Sequence, residues 1–149
     1  MSAPSSRYAC SVEEAASVAG AALAGGALVG LGLDLVEVAR FAAALARYPK
    51  MGERLFTPAE RGYAGGFADP APSLAARFAA KEAVMKALGV GLGAFAFPEV
   101  EVERHASGQP YISLHGSAED LASRRGVRQW LVSLTHTETT AAAVVVAIS

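Results

Sequence analysis

Two carboxylates, an amine and an imidazole are the side chains of this sequence best suited to do chemistry. Glu82 and Lys86 lie four residues apart in Arg77-Phe78-Ala79-Ala80-Lys81-Glu82-Ala83-Val84-Met85-Lys86-Ala87-Leu88-Gly89. On a helix that spacing puts both on one face, a turn apart. One reading is a surface ion pair, since Glu before Lys is the favourable order. The other is a carboxylate and an amine held beside a metal and a phosphate. Asp34 ends the apolar, glycine-rich run Leu28-Val29-Gly30-Leu31-Gly32-Leu33-Asp34. An ionised carboxylate is costly to bury alone, so Asp34 either caps the helix that follows or meets a cation. Were Asp34 and Glu82 to converge, they would suit a hard cation such as Mg²⁺, which takes one or two carboxylates plus phosphates and waters. Lys86 would then point at the same place, an arrangement fit for a phosphoryl-type transfer. His136 stands between Thr135 and Thr137, close to Ser133. As a loop histidine it is explained by the surface alone. As part of that cluster it could bind phosphate or relay a proton near neutral pH.

The pattern around these residues predicts what must hold them. Ala, Leu, Met, Lys, Glu and Arg make the Arg77–Gly89 stretch the best helix former in the chain. Leu74, Phe78, Met85 and Leu88 recur at helical spacing, predicting one buried stripe, and Gly89 sits where a C-cap glycine belongs. Asp69-Pro70-Ala71-Pro72 reads as a breaker, with this central helix starting near Ser73. Leu28–Asp34 reads as a buried strand whose glycines allow close backbone approach. Val36 to Tyr48 turns helical and Pro49 stops it. Thr57-Pro58-Ala59-Glu60 is a capping box with proline at the first helical position, although Gly62, Gly65 and Gly66 weaken the helix it opens. Beyond a loop marked by Gly91, Gly93 and Pro98, the alternation over 99–104 predicts a half-exposed strand. Ser107 to Pro110 is a turn, and Tyr111–Leu114 a second strand. Ser117 to Arg125 is a short helix ended by Gly126. Trp130–Thr135 and Ala141–Ile148 are two more strands, joined by a polar turn. The connections are short, so the late strands are antiparallel. The class is α+β: an antiparallel sheet packed around a long central helix.

The bulk figures narrow the setting. A chain of 149 residues fits one domain with a real core. Net charge is −1 and the pI about 6.3, so no global basic field points to nucleic acid or a membrane surface. Hydrophobic residues make up 52% and the mean hydropathy is +0.31, which suits apolar patches covered in an oligomer. Ala15 to Leu33 carries no charge, long enough to suggest a membrane span. It is mostly Ala and Gly, broken by Gly25-Gly26, and ends at Asp34, so a span is not expected. Nor is a secretory leader, because the preceding segment has Arg7, Glu13 and Glu14 rather than a basic start. The single cysteine, Cys10, can form no internal disulfide, which fits a reducing, cytoplasmic setting and an inert thiol. Residues 1–26 read as an extension, loose or forming a short helix capped by Ser11-Val12-Glu13-Glu14. Residues 27–149 read as the functional domain. No P-loop, dinucleotide fingerprint or nucleophile elbow competes.

Four motifs in order resemble the holo-[acyl-carrier-protein] synthases, small members of the 4′-phosphopantetheinyl transferase superfamily. They are Gly32-Leu33-Asp34-Leu35-Val36-Glu37-Val38-Ala39-Arg40, Arg54-Leu55-Phe56-Thr57-Pro58-Ala59-Glu60, the Arg77–Gly89 helix, and Ser133-Leu134-Thr135-His136. The resemblance spans about residues 28 to 148. It implies transfer of the phosphopantetheine arm of coenzyme A to a serine of an apo acyl carrier protein, with release of adenosine 3′,5′-bisphosphate. It implies that Asp34 and Glu82 hold Mg²⁺ and that Lys86 sits near the transferred phosphate. His136 would contact a phosphate or assist deprotonation of the serine. Arg77 and Lys81 would support the phosphate region with Ser133 and Thr135, and Gly108 to Pro110 would border the nucleotide. Arg40 would meet the acidic recognition helix of the carrier. Small members are homotrimers with active sites between subunits. Larger relatives often carry an acidic third ligand two residues after the first Asp; here that position is Val36, so water would take its place. Thr137 stands where some relatives have Asp, which weakens a His–Asp relay. Glu60, His136, Lys86 and water are all open candidates to receive the serine proton. The competing readings are a non-catalytic module that grips coenzyme A or carrier proteins, and a structural oligomer in which Glu82–Lys86 is only a surface pair.

Overall fold

The structure is a computed structural model that describes residues 26–149. The extension and its short helix therefore lie outside the described residues. The chain runs β1 (Leu28–Glu37), α1 (Val38–Arg47), α2 (Met51–Leu55), α3 (Pro58–Ala64) and α4 (Ala71–Ala87). A 3₁₀ turn (Phe97–Glu99) leads into β2 (Val100–Arg104), β3 (Pro110–Leu114), α5 (Gly116–Arg124), β4 (Gln129–His136) and β5 (Thr140–Ile148). Strands β1, β5 and β4 form one antiparallel sheet in that order, and β2 and β3 form a separate hairpin. Helix α4 packs on one face of the three-stranded sheet. The α+β class with a central helix is thus what the chain adopts.

The packing of β1 on α4 explains the two strand glycines. A Cβ on Gly30 would lie 1.9 Å from the Ala87 carbonyl oxygen, and one on Gly32 would lie 1.8 Å from that of Ala83. Only hydrogen fits, so strand and helix backbones touch directly. The alternation of a strand then sends Leu31, Leu33 and Leu35 to the opposite face. There they are 61%, 53% and 65% exposed, and Val144 of β5 lies in register with Leu33. This uncovered apolar strip is on the far side of the sheet from α4.

Several predicted details are corrected. Helix α4 does not bury a stripe: Met85 and Leu88 are buried, but Leu74 and Phe78 are only half-buried. Instead Ala75, Ala76, Ala79, Ala80, Ala83 and Ala87 make one small-residue side of the rod, and Arg77, Lys81, Val84, Met85 and Leu88 are buried on the other. The helix starts at Ala71 with Pro72 in its first turn, where a missing N–H costs nothing. Asp69 accepts a hydrogen bond from Ala71 N at 2.9 Å, so the proline segment begins the helix, while the helix before it has already ended at Ala64. Strand β1 runs on to Glu37, so α1 begins at Val38. Val36-Glu37-Val38 fits both periods, and pairing with β5 decides it. Helix α2 has 5 residues, too few to show a period in the sequence. The Thr57 capping box is present in full, with Thr57 Oγ1 accepting from Glu60 N and Glu60 Oε2 from Thr57 N. After α4, Gly89 takes φ +65°, and the N–H groups of Gly89 and Val90 close on Lys86 and Met85 in a Schellman turn. Among the described residues no helix is long and apolar enough to cross a membrane.

Candidate active site

Asp34 reaches the site because β1 lies flush on α4. It shares the helix-facing side of the strand with Gly30 and Gly32. It cannot cap α1, whose N-cap is Glu37. Lys86 Nζ donates to Asp34 Oδ1 at 2.8 Å and to the Leu33 carbonyl at 3.0 Å. The surface pair Glu82–Lys86 therefore does not form. Among the described residues the ion pairs are Asp34–Lys86, Glu60–Lys81 and Glu101–His115, which leaves Glu82 without one. Partial burial pushes the Glu82 carboxyl upward in pKa, and the Asp34 charge adds to this, while Lys86 opposes both. Two carboxylates thus share one neighbourhood with one ammonium, which is bonded to Asp34. A cation at this spot would relieve the repulsion that Glu82 feels. The donor set is all oxygen, which fits a hard cation.

Both carboxylates line a cavity of about 570 Å³ floored by Phe41, Ala44, Met51 and Phe78, with Glu37 and Arg40 on its wall. The floor rings Phe41 and Phe78 lean on each other at 32°, and Phe78 stacks on Phe97 behind it. Phe41 and Phe78 are 5.3 Å apart and Phe78 and Phe97 5.5 Å.

The other expected site residues are elsewhere. Gly108 turns the β2–β3 hairpin at φ +88°, its carbonyl held by Arg104, and Pro110 opens β3. Pro110 and Ser133 line a second cavity, of about 330 Å³, with His105, Tyr111, Gln129 and Trp130. The two cavities share no lining residue. His136 is the last residue of β4 rather than part of the turn, and is exposed. Strand alternation places it on the opposite face from Ser133 and Thr135, so the three do not form one cluster.

Two residues expected near phosphate are drawn inside. Lys81 is fully buried, and its ammonium donates to Glu60 Oε2 at 2.8 Å, to the Phe97 carbonyl at 3.1 Å and to the Val100 carbonyl. All three protons are used within the fold, so none is left for a ligand. Burial lowers the Lys81 pKa, against the pull of Glu60. Glu60 is likewise fully engaged, since Oε2 also accepts from Thr57 N and Oε1 accepts from Val102 N at 3.0 Å. That removes Glu60 as a proton acceptor. Arg77 is 2% exposed, bonded to Ser73 and laid over the Tyr63 ring at 4.3 Å. Its Nε has no partner among the described residues, and burial lowers its pKa. The structure adds Glu37 as a cavity-wall residue that the sequence did not single out, because its place depends on β1 continuing past Asp34.

A model of the 4′-phosphopantetheinyl transferase superfamily matches residues 30–145. The holo-[acyl-carrier-protein] synthase of Moorella thermoacetica is 47% identical over 113 residues, covering 76% of this chain and 88% of its own. That of Beutenbergia cavernae is 47% identical over 120 residues, covering 80% and 97%. Among solved structures, the Neisseria meningitidis holo-[acyl-carrier-protein] synthase superposes with a TM-score of 0.74 at 30% identity, covering 81% of this chain and 98% of that one. The Helicobacter pylori holo-[acyl-carrier-protein] synthase in complex with coenzyme A gives a TM-score of 0.69 at 29% identity, covering 80% and 99%. The motif order, the fold and these likenesses agree, and the chain belongs to the 4′-phosphopantetheinyl transferase superfamily.

Proposed function

We propose that this protein is a holo-[acyl-carrier-protein] synthase of the cytoplasm, acting on coenzyme A and an apo acyl carrier protein. The serine oxygen of the carrier forms a bond to the phosphorus bearing the pantetheine arm. The pyrophosphate bond breaks, and adenosine 3′,5′-bisphosphate leaves with the electron pair. The observation that carries this reading is that Asp34 and Glu82 line one cavity, with Lys86 bonded to Asp34. Asp34 and Glu82 would hold Mg²⁺, which when bound would neutralise charge on the pyrophosphate and its leaving group. Lys86 donates to Asp34 and to the Leu33 carbonyl, so it presents donors rather than an acceptor. Its role is to stabilise negative charge on the transferred phosphate. Glu60 is buried and saturated, so His136 and water are left as acceptors. Arg40, exposed on α1 at the cavity wall, meets the acidic face of the carrier in a charge-steered contact.

The two cavities suggest how the site is completed. The nucleotide side, with Gly108, Pro110, Ser133 and Thr135, comes from a neighbouring subunit of a homotrimer, as does His136. The uncovered Leu31, Leu33 and Leu35 face supports such an assembly, because an exposed apolar strip of this kind marks an interface.

The test is mass spectrometry of an apo carrier incubated with protein, coenzyme A and Mg²⁺. Gain of the phosphopantetheine mass is expected. Glu82→Gln should lower kcat/KM at least about a hundredfold, since loss of one charged contact made in the transition state costs about 3 kcal/mol. Full activity in that variant, or no transfer to any of several carriers, refutes the reading.

A further inference from the structure

Lys81 directly precedes Glu82 and is turned about 100° from it around the helix axis. Its ammonium and the Glu60 carboxylate have side chains 0% and 1% exposed. Through Glu60 the pair also grips Thr57 N at the start of α3 and Val102 N in β2, each at 3.0 Å. One point on α4 is thereby tied to α3, to β2 and to the 3₁₀ turn. Stability alone does not account for this. A buried ion pair exchanged for apolar side chains of similar volume is often neutral or stabilising. What the pair supplies is direction. The Gly30 and Gly32 contacts set how near β1 comes to α4, but with no side chain they do not set the helix's rotation. Three acceptors fixed around a single ammonium do.

We propose that Glu60–Lys81 is a positioning pair that aims Glu82 at Asp34 and so sets the affinity of the two carboxylates for a divalent cation. It touches neither cation nor substrate, and it rests on the reading of Asp34 and Glu82 given above. The experiment is Mn²⁺ titration followed by electron paramagnetic resonance, with thermal melting in parallel. The proteins are wild type, Glu82→Gln, Glu60→Leu/Lys81→Met and the conservative Glu60→Gln. The double variant is expected to melt no lower than wild type, while its Mn²⁺ dissociation constant rises about tenfold or more, as for other residues that orient metal ligands. Its transfer activity should recover at saturating metal, moving the metal half-saturation and not kcat. A folded double variant that binds Mn²⁺ like wild type overturns the pair's role and leaves the carboxylate reading standing. Wild type binding no better than Glu82→Gln overturns the carboxylate reading and this inference with it. Should the double variant fail to fold, Glu60→Gln decides. Weaker Mn²⁺ binding there supports the pair's role, and unchanged binding rejects it.

Discussion

Asp34 and Glu82 are not equivalent carboxylates. Asp34 has an ammonium at 2.8 Å, whereas Glu82 has burial and a like charge against its ionised form. A carboxyl raised above its unfolded value contributes stability at low pH and loses it as pH rises through the folded pKa. Glu82→Gln removes that loss. In chelator, the variant and wild type should melt together at about pH 3, below the ordinary Glu value, where the carboxyl is neutral folded and unfolded. At about pH 8 the variant should melt higher, by no more than about 4 °C. Calorimetry across that range checks it, and a lower melting variant at the alkaline end contradicts the strain assigned to Glu82. The same residues show the limit of a linear reading. Helical spacing pairs Lys86 with Glu82, but its partner is Asp34 on β1, 52 residues away. Spacing reveals neighbours along an element and says nothing of the element that packs on it. Lys81 misleads for the same reason. Its charge suggests a ligand, and only the fold supplies the three acceptors that take it inside.

Between elements, the contact of β1 with α4 sets the geometry of the site. Gly32→Ala would place a methyl 1.8 Å from a backbone oxygen that no side-chain rotation can move. Strand and helix must part, and the stability lost should be about 3 kcal/mol. Urea unfolding measures it, and a loss under about 0.5 kcal/mol, the range of ordinary surface changes, would mean the contact is loose. The strand, the central helix, the capping box and the Gly89 turn are all legible in the sequence, because each rests on local periodicity or on a residue with one preferred place. The extent of β1 and the start of α4 are not. Val36 to Val38 satisfies both periods, and a proline run that reads as a breaker can open a helix.

For the whole molecule, the sheet face opposite α4 is the feature a single chain leaves unexplained. Leu31 is in register with Val146, which pairs in turn with Leu131, making a cross-strand apolar row exposed at Leu31 and half-buried at Val146 and Leu131. Leu31→Glu changes an exposed side chain, so the isolated fold should keep its stability to within about 0.5 kcal/mol. If the protein is the proposed trimer and its subunits meet on this face, sedimentation should shift from trimer to monomer, and transfer should fall with it because each site would lose the nucleotide side proposed to come from its neighbour. A variant that remains trimeric and active would place the interface elsewhere. Composition points to a covered apolar surface without saying where. The location needs the glycines, which turn one side of β1 to the helix and so expose the other.

The alanines around α4 have a consequence for inheritance. An amphipathic helix can drift on its wet side, so its ancestry survives as scattered positions. Here Arg77, Lys81, Val84, Met85 and Leu88 are buried along one side, and Ala75, Ala76, Ala79, Ala80, Ala83 and Ala87 along the other. Enlarging any of them overfills the interior at about 1–3 kcal/mol, and glycine costs about 1 kcal/mol. Drift is left only the narrow strip that carries Glu82 and Lys86, which the site itself uses. Its spelling should persist as an unbroken word, which is the form in which Arg77 to Gly89 can be read.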